Sequence, residues 1–189
     1  MRVWVLALGL LACRSAGSGP YERPGEGGRN TIRAQELNAQ AADLIATEPA
    51  KAEDLLRAAL TADIFFGPAH NNLGVLHLKA GRLYEAAEEF EWARKLMPGH
   101  PDPRMNLALT LEQAGKTDQA IQTYKTALEV WPGHIATIQA LARLEVSHGR
   151  KSVELLGWLD SVSVQGESAV WRDWARAELA RIEQRAARD

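Results

Sequence analysis

What most constrains this chain is that it matches itself at a shift of 34 residues. Residues 67–100 and 101–134 align position for position: Leu73-Gly74 answers to Leu107-Ala108, Gly81 to Gly115, Ala86 to Ala120 and Phe90 to Tyr124. Ala93 likewise answers to Ala127, and Pro98-Gly99-His100 to Pro132-Gly133-His134. A period of this length marks a small unit that cannot bury its apolar face alone and is repeated so that neighbours bury it. Weaker copies flank the two clear ones. Residues 31–66 keep Ala52, Leu56, Ala59 and Leu60 at corresponding places but carry Ile64 where the proline should stand. Residues 135–166 keep Leu141-Ala142 and Gly149, and the pattern is lost after Arg150.

Within each copy the spacing is helical. Apolar and small residues recur at i, i+3, i+4 and i+7 in Leu73, Leu76, His77 and Ala80, then in Ala86, Ala87, Phe90 and Ala93. Gly81 and Gly115 fall where a first helix must end and the chain reverse, which calls for a left-handed residue. Pro98 and Pro132 follow the second helix, where a missing N–H does no harm. Gly74, Ala108, Ala86 and Ala120 predict close approach of paired helices. Such short periodic segments and turns leave no room for strands, so the expected domain is all-α. Helical signal returns at 152–162 and from Ser168 to Ala187. There Trp171, Trp174, Ala175, Leu179 and Ile182 form one stripe opposite Arg172, Asp173, Arg176, Arg181, Glu183 and Arg185. Residues 167–189 read as a helix capping the last apolar face, with an arginine-rich helix for a membrane or partner as the alternative.

The N-terminus is different in kind. Arg2 precedes an unbroken apolar run, Val3 to Ala12, which as a helix rises only about 15 Å, roughly half a bilayer core. That suits the apolar region of a signal peptide over residues 1–12. The run ends Leu10-Leu11-Ala12-Cys13, which resembles the bacterial lipobox, in which the cysteine is acylated and becomes the mature N-terminus. The resemblance implies a lipid anchor on Cys13 and, with Arg14 rather than an aspartate next, points to the outer membrane. The other reading is an ordinary secretory signal with an incidental cysteine. Residues 13–30 follow as a tether. Between Arg14 and Arg29 stand five glycines and two prolines, a composition expected to stay disordered with a reach of about 20–25 Å.

The 34-residue unit, on the residues quoted above, resembles the tetratricopeptide repeat. That resemblance implies a right-handed α-solenoid of three to four helix–turn–helix units whose first helices line a concave, partner-binding groove. Carried over to this chain, the groove positions are Leu37, Ala41, Leu44 and Ile45, then Asn71, Val75, Leu78 and Lys79. The next unit gives Met105, Leu109, Glu112 and Gln113, and the last gives Gln139, Arg143 and Val146. This lining is apolar at its centre with a polar fringe, which suits an extended or helical peptide. The carboxylate clamp of chaperone-binding members needs Lys and Asn at set positions, whereas here the fifth position reads Leu37, Asn71, Met105 and Gln139. An acidic C-terminal peptide is therefore not the expected ligand. The other reading of these positions is burial by neighbouring helices.

Little else in the sequence suggests chemistry. The formal charge of −2 gives no electrostatic reason to expect nucleic acid. A single cysteine excludes a disulfide framework and a Cys-rich zinc site. Ala114-Gly115-Lys116-Thr117 imitates the end of a phosphate-binding loop, but Thr110 stands where that loop needs glycine, and no strand precedes it. His100 and His134 occupy one repeat position and read as solvated loop residues. His70 and His77 are too far apart on one helix to chelate a metal together, and His77 takes a core position. No Gly-x-Ser-x-Gly or His-adjacent nucleophile is present. Neither metal, cofactor nor catalysis is expected. The expectation is a lipid-anchored scaffold for a protein or peptide partner, serving assembly of a cell-envelope complex. The alternative is a non-catalytic accessory subunit binding cell-wall glycan through Trp92, Trp131 and Trp158, each expected near the end of a second helix and exposed.

Overall fold

Helix starts and stops fall where the residues supply them. Asn30 accepts from the Arg33 N–H at 2.9 Å and opens α1 (Thr31–Leu44), while Pro49 opens α2 (Pro49–Ala62). Prolines in the first turn also open α3 (Gly67–Lys79) and α5 (Asp102–Gln113), where their missing N–H would have had no partner anyway. Gly81, Gly115 and Gly149 have φ of +73°, +72° and +64°. At each, the next residue's N–H reaches back five residues, as Arg82 does to the His77 carbonyl at 2.9 Å. This motif closes α3, α5 and α7 (Ile135–Ser147) and turns the chain into α4 (Leu83–Leu96), α6 (Thr117–Val130) and, further on, α8 (Leu155–Gln165). Ser168 accepts from the Trp171 N–H at 3.3 Å and starts α9 (Ala169–Ala186).

This computed structural model describes residues 29–150 and 152–188, and all regular structure in them is helical. The signal-peptide and Cys13 expectations, and nearly all of the tether, lie outside these residues. Helices pack in order as antiparallel pairs, α1 with α2, α3 with α4 and α5 with α6, each pair stacking on the next. Four apolar clusters follow one another along the stack. One joins Leu37, Leu56, Leu60 and Leu73; the next centres on Phe90 with Leu107. A third centres on Tyr124 with Leu141, and the last holds Ile138, Leu159 and Val162 under Trp171, Trp174, Leu179 and Ile182 of α9. The architecture is an all-α helical-repeat solenoid, and α9 covers its last apolar face.

Small residues set the pair spacing. An added Cβ on Gly74 would meet the Phe90 ring at 2.7 Å, so α3 and α4 touch backbone to ring. Two of the stripe positions depart from the periodic reading. Ala80 is exposed at the turn, and His77 is buried with its Nδ1 unpartnered. The degenerate end of the first unit has its own device. Where the other units have Pro-Gly-His this one has Ile64-Phe65-Phe66, preceded by the buried Asp63, whose carboxylate accepts from Arg29 (3.0 and 3.3 Å), the Thr31 hydroxyl (2.7 Å) and the Phe65 N–H (3.1 Å). Burial alone would raise its pKa, but these donors hold it below the usual carboxylate value.

Candidate partner-binding groove

The first helices of successive units form one layer, and side chains tie each to the next. Asn72 donates to Asn38 at 2.9 Å, joining α3 to α1, and Asn106 donates to Asn71 at 3.1 Å, joining α5 to α3. Glu112 pairs with Arg143 between α5 and α7. Gln139 grips Glu167, donating to its carboxylate at 2.9 Å and accepting from its N–H at 2.7 Å. Helical repeats bring equivalent positions side by side, so the three pairs between first helices arise from the repeat spacing, whereas Glu167 lies in the loop ahead of α9, outside it.

Several expected groove residues therefore have other work. Gln139 is 2% exposed and fully engaged by Glu167, so it is part of the packing and not a free contact. Leu37 and Ala41 are buried in the first cluster, and Val146 lines a cleft of about 270 Å³ between α7, α8 and α9. Glu112 and Arg143 hold one another, and Glu112 also accepts from the Tyr124 hydroxyl at 3.3 Å. Burial, with Glu112 beside it, pushes the Tyr124 phenol well above its usual pKa and keeps it a donor. Asn71 is half-buried in its amide pair. Lys79 and Gln113 are exposed on the fringe.

An apolar strip remains between these ties. Val75 and Leu78 on α3, Met105 and Leu109 on α5, and Leu44 on α1 are all half-buried. Val75 and Leu78 lean on the Phe90 cluster, Met105 on the Tyr124 cluster and Leu44 on the first. Those four thus show part of their surface to solvent while anchored beneath, as a contact surface requires, and Leu109 stands half-buried one turn beyond Met105 on α5.

Elsewhere the sequence expectations fare unevenly. His134 is half-buried, not solvated: it bonds Thr137 at 2.7 Å, meets Asp102 at 3.3 Å and packs on Trp131. Trp92 and Trp131 are exposed as expected. Trp158 sits near the start of α8, half-buried, with the Lys125 ammonium over its ring. No group of described residues could hold a metal ion.

Two models of the tetratricopeptide repeat match the chain, one over residues 42–101 and the other over 77–145. Together they span more than half of it. Residues 42–145 are thus made of tetratricopeptide repeats. No curated protein matches by sequence. Among solved structures, Pseudomonas aeruginosa pilF superposes with a TM-score of 0.71 at 22% identity, over 80% of this chain and 69% of that one. The first repeat domain of Spaghetti (RPAP3), bound to the HSP90 peptide SRMEEVD, gives 0.59 at 14% identity, over 64% of this chain and 96% of that one. A Thermobaculum terrenum O-GlcNAc transferase mutant gives 0.64 at 21%, over 71% of this chain and 27% of its own. At these identities the likeness is one of fold.

Proposed function

We propose that the chain is a non-catalytic scaffold that holds a protein or peptide partner in its first-helix groove, anchored to a membrane through acylated Cys13, and that it serves assembly of a cell-envelope complex. The observation carrying the groove is the half-buried apolar strip of Val75, Leu78, Met105 and Leu109 between fixed polar ties. A likeness in fold to a repeat domain bound to a peptide supports the same class of ligand. The fifth-position residues Leu37, Asn71, Met105 and Gln139 argue against a carboxylate-clamp ligand and for an apolar segment. The anchor is supported by the Leu-Leu-Ala-Cys sequence after an apolar run too short to span a bilayer. Among the described residues no helix is long and apolar enough to cross a membrane.

Leu109→Arg tests the groove. A charge there removes apolar contact and forces a partner to bury an unpaired ion. Partner capture from solubilised membranes is expected to weaken at least about tenfold, about 1.4 kcal/mol. The melting temperature should stay within a few degrees, because the side chain is half-exposed. Glu88→Arg, exposed on α4, is the control and should change neither. Unfolding by Leu109→Arg would make the residue core; capture unchanged by it would place binding on another face.

A further inference from the structure

Three of the four exposed aromatic rings among the described residues, Phe65, Trp92 and Trp131, lie along one margin of this solenoid, the one where successive units connect; the fourth, Tyr84, does not. Contacts trace that margin. The Asn30 N–H donates to the Ala62 carbonyl at 2.9 Å, and Arg29 pairs with Asp63, so the start of α1 meets the end of α2. His70 near the start of α3 stacks on Trp92 near the end of α4 at 5.8 Å. Asp102 at the start of α5 meets His134 at the start of α7. Ile32, Phe65, Trp92, Trp131, Val164 and Val170 are six of the nine large apolar side chains exposed among the described residues, and all six fall along this line. The opposite margin, with its glycine turns, exposes Tyr84, Val153 and Leu156, and neither a Phe nor a Trp.

The charges beside the rings have a pattern too. The Arg29 guanidinium lies 5.1 Å over Phe65, and the Lys95 ammonium 5.6 Å over Trp92. Several acids there are already matched: Asp63 by Arg29, Glu91 by Arg94, and Asp102 by His100 and His134. Amphipathic rings with cations alongside are what the headgroup level of a bilayer accommodates: the rings sit at the boundary and the cations meet phosphate. A sugar fits less well. It needs an open ring face, and Trp92 is covered by His70 while Trp131 packs on His134 at 5.2 Å.

Where the described chain begins decides the occupant. Arg29 stands on this margin, against Phe65, and fifteen residues separate it from Cys13. A chain of that composition reaches about 20–25 Å, so an anchor at Cys13 favours this margin over the glycine-turn margin, which lies one 14-residue helix, about 21 Å, further away. We propose that the connection margin rests on a phospholipid surface, with Phe65, Trp92 and Trp131 seated at the headgroup boundary and the glycine-turn margin directed away. This rests on the anchor reading of Cys13 and adds an orientation to it.

The test uses the full acylated chain in vesicles of phosphatidylethanolamine and phosphatidylglycerol, with or without phosphatidylcholine brominated high on its acyl chains. Bromine quenches tryptophan emission only at contact range. Wild type is expected to sediment with the vesicles and to be quenched. Trp92→Phe combined with Trp131→Phe should cut that quenching at least about twofold, since Trp158, Trp171 and Trp174 are half-buried within the stack. Lys95→Glu should weaken quenching without affecting sedimentation, and Cys13→Ala should leave the protein in the supernatant. Wild type that sediments but is not quenched would overturn the margin proposal and leave the anchor standing. Wild type that fails to sediment would overturn both. Emission that responds to soluble cell-wall glycan fragments and not to brominated lipid would assign the rings to sugar instead.

Discussion

His77 shows how much one atom matters in a repeat. Its ring is buried and its Nδ1 has no partner, while the equivalent position one unit on is Leu111. Burial depresses its pKa, helped by Arg82 and Arg57 and opposed by Glu53 and Glu89. A histidine kept neutral in the fold but free to protonate when unfolded stabilises fully only above its unfolded value of about 6.5, and that stability drains away as pH falls towards the lowered folded value. His77→Leu supplies the next unit's residue and removes the orphaned nitrogen. It is expected to raise stability by about 1 kcal/mol and to flatten the fall in melting temperature below about pH 6.5. Thermal melts of both proteins between pH 5 and 8, bracketing that value, would show it; a variant that melts lower at every pH would mean that the ring's other contacts outweigh the orphan.

At the scale of the helix, the pair α3–α4 is held by Gly74 against Phe90. Alanine normally favours a helix over glycine by about 1 kcal/mol, yet its Cβ would stand 2.7 Å from a fully buried ring. Gly74→Ala is therefore expected to lose about 1–3 kcal/mol net, because the overpacking outweighs the propensity. Denaturant melts would detect that, and a gain in stability would show that Phe90 has room to move. Alignment pointed to close approach of the paired helices here, since Gly74 answers to Ala108, but not to Phe90 as the ring that fills the space. The left-handed turns were legible for the same reason, because glycine recurs where the chain must reverse. The sequence did not disclose the role of Asp63, a buried carboxylate just ahead of the lost Pro-Gly-His, whose side-chain donors Arg29 and Thr31 come from over thirty residues earlier. Nor did it disclose the fate of Gln139, whose partner Glu167 lies beyond the repeating region. Repeat position selects a face of a helix; it does not say which residues on that face are claimed by cross-helix bonds.

For the whole molecule, a stack of like units stands or falls by its junctions. The last is closed by α9, whose Trp171, Trp174, Leu179 and Ile182 cover Ile138, Leu159 and Val162. Deleting residues 167–189 strips that cover and also frees Gln139. The melting temperature is expected to fall by about 10 °C or more, with helical signal lost beyond the deleted residues, as circular dichroism would report. An unchanged melt would mean α9 is an appendage and not a cap. The ties in the first-helix layer bear on something else. Its three junctions each carry one short polar pair, Asn38–Asn72, Asn71–Asn106 and Glu112–Arg143, and Gln139 ties its far end to Glu167 ahead of α9. As a mechanical object, the stack is riveted along its first-helix layer and pinned on the other side by Glu53–Arg82 and Asp118–Arg150. Its inner pitch resists stretching, because each short pair holds two first helices at one spacing. Such a sheet bends as a spring, recoiling to one curvature, and gauges the length of whatever lies along it as well as its chemistry.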